Sequence, residues 1–258
     1  MRLKYKNLRT TKKYRSLENI QEKIRPIITH IKNNIQMENK INEKDFNKIK
    51  TNIKTDLKSC KKLDSSSRST RRKILNNIIS TNNINPMHQK LLAPFVPLQI
   101  IKSIVENYNK YDMVIFKYKS NTINMHAFYK TKINYKELII KCVKLFGLME
   151  YQKYFNKKIN IYYAPTNFTK RIKYKKFIGP DSVNSAFCQF YPDNYIAVFR
   201  KECSDKVILH ELIHYLYIEP SSLVDNIEDM NNFIINDMNV NNDSENISFF
   251  ESYTDSIA

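Results

Sequence analysis

The sequence predicts an α+β domain behind a basic, helical N-terminal segment, and three observations carry that prediction. Short runs of strand period fill much of residues 113–199, helical apolar stripes lie around them, and a hydrophobic content of 42% over 258 residues suffices to bury a core. A chain of this length has room for one well-cored domain plus an extra segment, because domains usually run to roughly 100–200 residues.

Residues 1–85 read as basic and polar, helical or partly disordered, with only a thin apolar stripe at Phe46, Ile49, Ile53 and Leu57 and a Ser-rich, basic break over 64–72. A boundary falls near residue 85, which leaves 86–258 as the main domain. Pro97 suits a first helical turn, after which Leu98, Ile101, Ile104, Val105 and Tyr108 recur with helical period. Met113–Tyr118 and Ile123–Tyr129 then read as two strands joined through Ser120 and Asn121 as in a hairpin. Leu138, Ile139, Cys142, Leu145, Phe146 and Met149 form one apolar helix face. Ile159, Ile161 and Tyr163 alternate as a strand that Pro165 stops, and the strand candidates Val183–Phe190 and Tyr195–Phe199 flank a Pro-Asp-Asn turn at 192–194. Ser204 would cap a helix from about Asp205 to Tyr217, ended by Pro220, and Ser248 would cap a last one.

Composition narrows the function. Only Gly147 and Gly179 occur, and phosphate loops of the dinucleotide or P-loop kind need several glycines at fixed spacing, so those chemistries are excluded. Residues 1–90 hold 23 Lys/Arg against 7 Asp/Glu, whereas Ser204–Ala258 holds 11 acidic residues against the single Lys206. The two halves therefore do different jobs, or one folds against the other. Cys60, Cys142, Cys188 and Cys203 lack paired spacing and read as reduced thiols. No secretory leader and no membrane span are expected, since the longest apolar-rich stretch, 91–101, is too short, which points to an intracellular or virion-enclosed, non-secreted protein. The heavy use of Lys, Asn and Ile suggests an AT-rich genome.

The chemistry sits in VILHELIHYLY at residues 207–217, which contains HExxH. Four residues make one helical turn plus a small rotation, so His210 and His214 project from one face and two imidazoles can share one zinc ion. Glu211, beside the first ligand, is placed to take a proton from a zinc-bound water made acidic by the metal, in attack on a carbonyl that the zinc also polarises. The bland alternative is a pair of core histidines. Against it, Ile208, Leu209, Leu212, Ile213 and Leu216 would bury the opposite face and leave the histidines on a cleft.

A catalytic zinc wants three protein ligands and an open position. No histidine follows His214, so the third ligand is expected to be a carboxylate, and Tyr217 and Pro220 stand where HExxHxxGxxH would need Gly and His. Glu251 is the best candidate, with Asp255 one turn on, able to hydrogen-bond a ligating histidine. Ser248 and Glu251 also spell a capping box, and Asp225, Glu228, Asp229 and Asp237 compete for the ligand position.

These residues resemble the gluzincin metallopeptidases, thermolysin-like members of the zincin superfamily, whose pattern is HExxH followed by a helix carrying ExxxD. The resemblance covers about residues 110–258 and implies zinc ligation by His210, His214 and Glu251, a base role for Glu211 and support from Asp255. It also implies a zincin-like fold: a small twisted sheet with an edge hairpin, an active-site helix and a C-terminal Glu helix. NSAFCQF at 184–190 is similar to the Asn-Ala edge strand on which such enzymes lay substrate, which would involve Asn184, Ser185, Ala186 and Phe187, although Ser185 separates the Asn from the Ala. The layout is similar, too, to uncharacterised metallopeptidase-like proteins of large DNA viruses. The chain departs from the family after Asp255, where members usually provide a His or Tyr for the oxyanion; Tyr253, Tyr215 and Tyr217 are the substitutes available.

The expected activity is therefore zinc-dependent hydrolysis of peptide bonds in a polypeptide substrate. Its rival is a non-enzymatic virion or nucleic-acid-associated protein with a structural zinc, whose basic arm, residues 1–90, contacts nucleic acid or an acidic partner.

Overall fold

The computed structural model describes residues 25–40, 72, 73, 75, 76, 79, 84–94, 96–170 and 184–218. They form an α+β domain with strands β1 (Gln36–Lys40), β2 (Lys110–Tyr118), β3 (Asn121–Tyr129), β4 (Lys158–Thr166), β5 (Ala186–Gln189) and β6 (Tyr195–Arg200). The helices are α1 (Pro86–Gln89), α2 (Leu98–Asn107), α3 (Tyr135–Tyr151) and α4 (Ser204–Tyr215), and residues 25–34 are helical as well.

The strands make one open mixed sheet in the order β1-β2-β3-β4-β6-β5. β1, β2 and β3 pair antiparallel, α3 carries the chain from β3 to a parallel β4, β6 lies parallel to β4, and β5 returns antiparallel at the edge. Strands covered on both faces need apolar residues at successive positions, and β3, β4 and β6 supply them. Ile123, Met125, Ile161, Ile196 and Val198 enter one core with α3 and α4, while Phe128, Tyr162, Ala197 and Phe199 enter a second with Leu91, Ile100 and Ile104.

Several elements differ from the expectation in informative ways. β1 comes from the stretch that reads as a helical N-terminal segment, and Ile31 just before it is buried in the first core, so part of that segment completes the sheet. The hairpin turns on Lys119 and Ser120, because Tyr118 pairs with Asn121. β4 runs through Pro165 to Thr166 at a register irregularity, where a residue without an N–H is tolerated. Ser204 does not cap α4. Cys203, in the left-handed region with φ 57°, holds the N-cap position, and the Ser204 hydroxyl instead accepts a hydrogen bond from Lys141 Nζ at 2.8 Å. The Phe46 stripe and the helix expected after Ser248 lie outside the described residues.

That lysine fixes the start of α4. Lys141 on α3 is 1% exposed and pairs with Asp205 in the first turn of α4, where a carboxylate also meets the positive end of the helix dipole. Lys144 reaches the same carboxylate at 2.7 Å. Burial alone would raise the Asp205 carboxyl, but the hydrogen bonds and charges of Lys141 and Lys144 outweigh it and hold the group below its ordinary 3.8.

Removing the carboxylate strands a buried ammonium, at about 3–5 kcal/mol for a fully buried pair. Asp205 is 48% exposed, so Asp205→Asn should lower the unfolding free energy by only about 2 kcal/mol at neutral pH in a urea titration. A depressed folded-state pKa gives stability that is complete above the unfolded value and lost as pH falls through the folded one. The gap between parent and variant should therefore close as pH drops below about 3.8; a gap that persists unchanged in acid would contradict an electrostatic lock.

Candidate metal centre

α4 packs on β5, β6 and α3. Its residues Ile208, Leu212 and Ile213 are fully buried and Leu216 nearly so. Each such side chain stabilises the docked helix by about 1.5–3 kcal/mol, far more than intrinsic helix propensity supplies. The other side of the helix carries His210, Glu211 and His214, all half-buried. One face thus anchors α4 and sets the direction in which the other presents its imidazoles.

Those imidazoles converge. His210 Nε2 and His214 Nε2 stand 3.1 Å apart, with the rings inclined at 71°. At this separation two imidazoles share either a proton or a cation. With Zn–N bonds of about 2.05 Å and a tetrahedral angle, two ligand nitrogens lie about 3.3 Å apart, so the pair fits a zinc ion without rearrangement. Among the described residues no group of three His, Cys, Asp or Glu side chains is arranged to hold a metal, so the pair needs a ligand from elsewhere in the chain. Glu251, Asp255, Tyr253, Asp225, Glu228, Asp229 and Asp237 all lie outside the described residues.

Glu211 faces the sheet edge. Burial pushes the Cys188 thiol on β5 up to about 12, and the negative charge of Glu211 adds to the rise. The base expected from the sequence therefore stands between the histidine pair's helix and the edge strand. Of the proposed substrate strand, Asn184 and Ser185 precede β5, and the Ser185 carbonyl accepts hydrogen bonds from the amides of Phe199 and Arg200. Ala186 and Phe187 open β5 itself, pairing with Val198 and Ala197 of β6. The Tyr215 hydroxyl donates to the carbonyl of Lys158 at 3.3 Å, away from any oxyanion role, and the Tyr217 ring packs on Phe190.

Cys188 is the neighbour that the sequence did not single out, although strand period places it on the same side as Ala186. Cys142, Cys188 and Cys203 are free thiols, as expected. Comparison with protein families, with curated proteins and with solved structures finds no match to this chain.

A thiol held at about 12 is roughly one part in ten thousand thiolate at pH 8. Iodoacetamide at that pH should alkylate the exposed Cys203 about a hundredfold faster than Cys188, read by peptide mass spectrometry. Equal rates would remove Cys188 from the buried flank of Glu211.

Proposed function

We propose that this chain is a zinc-dependent metallopeptidase of zincin-like fold that holds one zinc ion and hydrolyses peptide bonds. The observation that carries the reading is the 3.1 Å approach of His210 Nε2 to His214 Nε2 on a helix whose opposite face is locked in the core. Two further features support it. The sheet is mixed, with a β5–β6 hairpin whose first strand is the edge among the described residues, and Glu211 lies against that strand. This is the relation that the gluzincin resemblance implies between active-site helix and substrate strand.

Zinc bound by His210 and His214 would supply a water of pKa near 7 and polarisation of the substrate carbonyl. Glu211 takes the proton of the attacking water and returns it to the departing amine nitrogen. The edge of β5 offers backbone groups to which an extended substrate adds as a further strand. Glu251 is proposed as the third ligand and Asp255 as the acceptor that orients a ligating imidazole, because a histidine pair otherwise lacks the third group a catalytic zinc requires. Tyr253 is proposed as the oxyanion donor.

Purified full-length protein should contain about one zinc per chain, and Glu211→Gln should lower peptide cleavage by about 10²–10⁴-fold while keeping the metal. Cleavage at the parental rate would remove the base role of Glu211. Zinc retained tightly in Glu251→Ala would move the third ligand to another carboxylate. Salt-sensitive DNA binding by zinc-loaded protein that cleaves no peptide of a random library would favour the structural-zinc reading instead.

A further inference from the structure

We infer that Phe190 and Tyr217 form the wall of a specificity subsite that takes a large apolar or aromatic side chain of an extended peptide; the inference rests on the peptidase reading above. The end of α4 is the starting point. The Ile218 amide donates to the carbonyl of Ile213 and the Tyr217 amide to that of His214, each at 3.0 Å, which is the Schellman arrangement of a helix C-terminus. Its left-handed position is normally glycine. Here it is Tyr217, with φ 52°, a conformation that an aromatic residue adopts only against steric resistance. Ile213 and Ile218, both buried in the first core, already make the apolar contact that closes such a motif. The Tyr217 ring therefore adds nothing that the helix end needs.

The ring instead stands in the open, 64% exposed, and packs on Phe190, itself 40% exposed, with centroids 5.4 Å apart. Such a pair is expensive to leave facing water. Its place is specific. Phe190 follows β5 directly and falls on the same side as Cys188, the residue beside Glu211. Two strand residues span about 7 Å, so the aromatic wall lies about two peptide residues along the edge from the level of Glu211. Residues 186–191, AFCQFY, bear no charge, so the wall suits a neutral side chain. The continuity of the rings with the edge strand selects an extended peptide as occupant over a second copy of the chain.

The test uses the full-length, zinc-loaded chain carrying Glu211→Gln and fluorescein-labelled hexapeptides that differ at one scanned position among Phe, Leu, Ala and Asp. Fluorescence anisotropy should show the Phe and Leu peptides binding about tenfold more tightly than the Ala and Asp peptides at one position, as partial burial of a large apolar side chain would give. Adding Tyr217→Gly or Phe190→Ala should abolish that preference. Tyr217→Gly should at the same time melt no lower than its parent, because glycine relieves the left-handed position. Equal affinity for all four peptides, a preference that survives Tyr217→Gly, or a much lower melting temperature in that variant would each overturn the subsite. Protein with Glu211 intact that cleaves peptides without such a preference would sink the subsite and spare the peptidase reading; an apolar binding preference without any cleavage would do the reverse.

Discussion

The constraint on which the candidate site depends is the two-sided fixing of α4. Ile208, Leu212 and Ile213 commit one face of the helix to the core, so rotation about its axis would expose them. The pairing of Lys141 with Ser204 and Asp205 stops the helix from sliding at its first turn. A Schellman closure through Ile213 and Ile218 holds the other end. With rotation, translation and fraying all opposed, the histidines keep their 3.1 Å approach without contributing to their own placement. This is the division of labour expected of a preorganised metal site, in which apolar packing and outer hydrogen bonds hold the ligands where the ion needs them.

The sheet adds the second half of the arrangement. Because β5 is antiparallel to β6 and outermost among the described residues, the chain passes from edge strand through β6 directly into α4. A short segment thus brings Cys188, Glu211 and the histidine pair together. The charge pattern of the chain fits the same local economy. Lys141 and Lys144, on a helix within the domain, neutralise the first acidic residue of the acidic C-terminal stretch, so part of that stretch's charge is answered inside the fold.

Much of this was legible because it rests on periodicity. The helical stripe from Leu138 to Met149, the strands around Ile123 and Ile161, and the HExxH spacing each have a short-range signature, and each appears as the element expected. β1 was not legible. QMENK has no alternating apolar face, since as an edge strand it leaves Met37 and Glu38 exposed, and only the presence of β2 beside it makes it a strand. The role of Ser204 was misjudged for a related reason: its hydroxyl answers to Lys141, 63 residues away, rather than to its own helix. A buried lysine on an otherwise apolar helix face carries no local mark of the partner it requires. Cys188 and Phe190 gained meaning only when the fold set their strand beside α4.

X-ray absorption at the zinc edge, on full-length protein carrying one equivalent of the metal, tests the central claim most directly. The account predicts two imidazole ligands and otherwise only oxygen or nitrogen neighbours, at about 2.0–2.2 Å. A sulfur shell near 2.3 Å, or a spectrum with no imidazole scattering, would contradict it, since the metal would then be held by the thiols and not by His210 and His214.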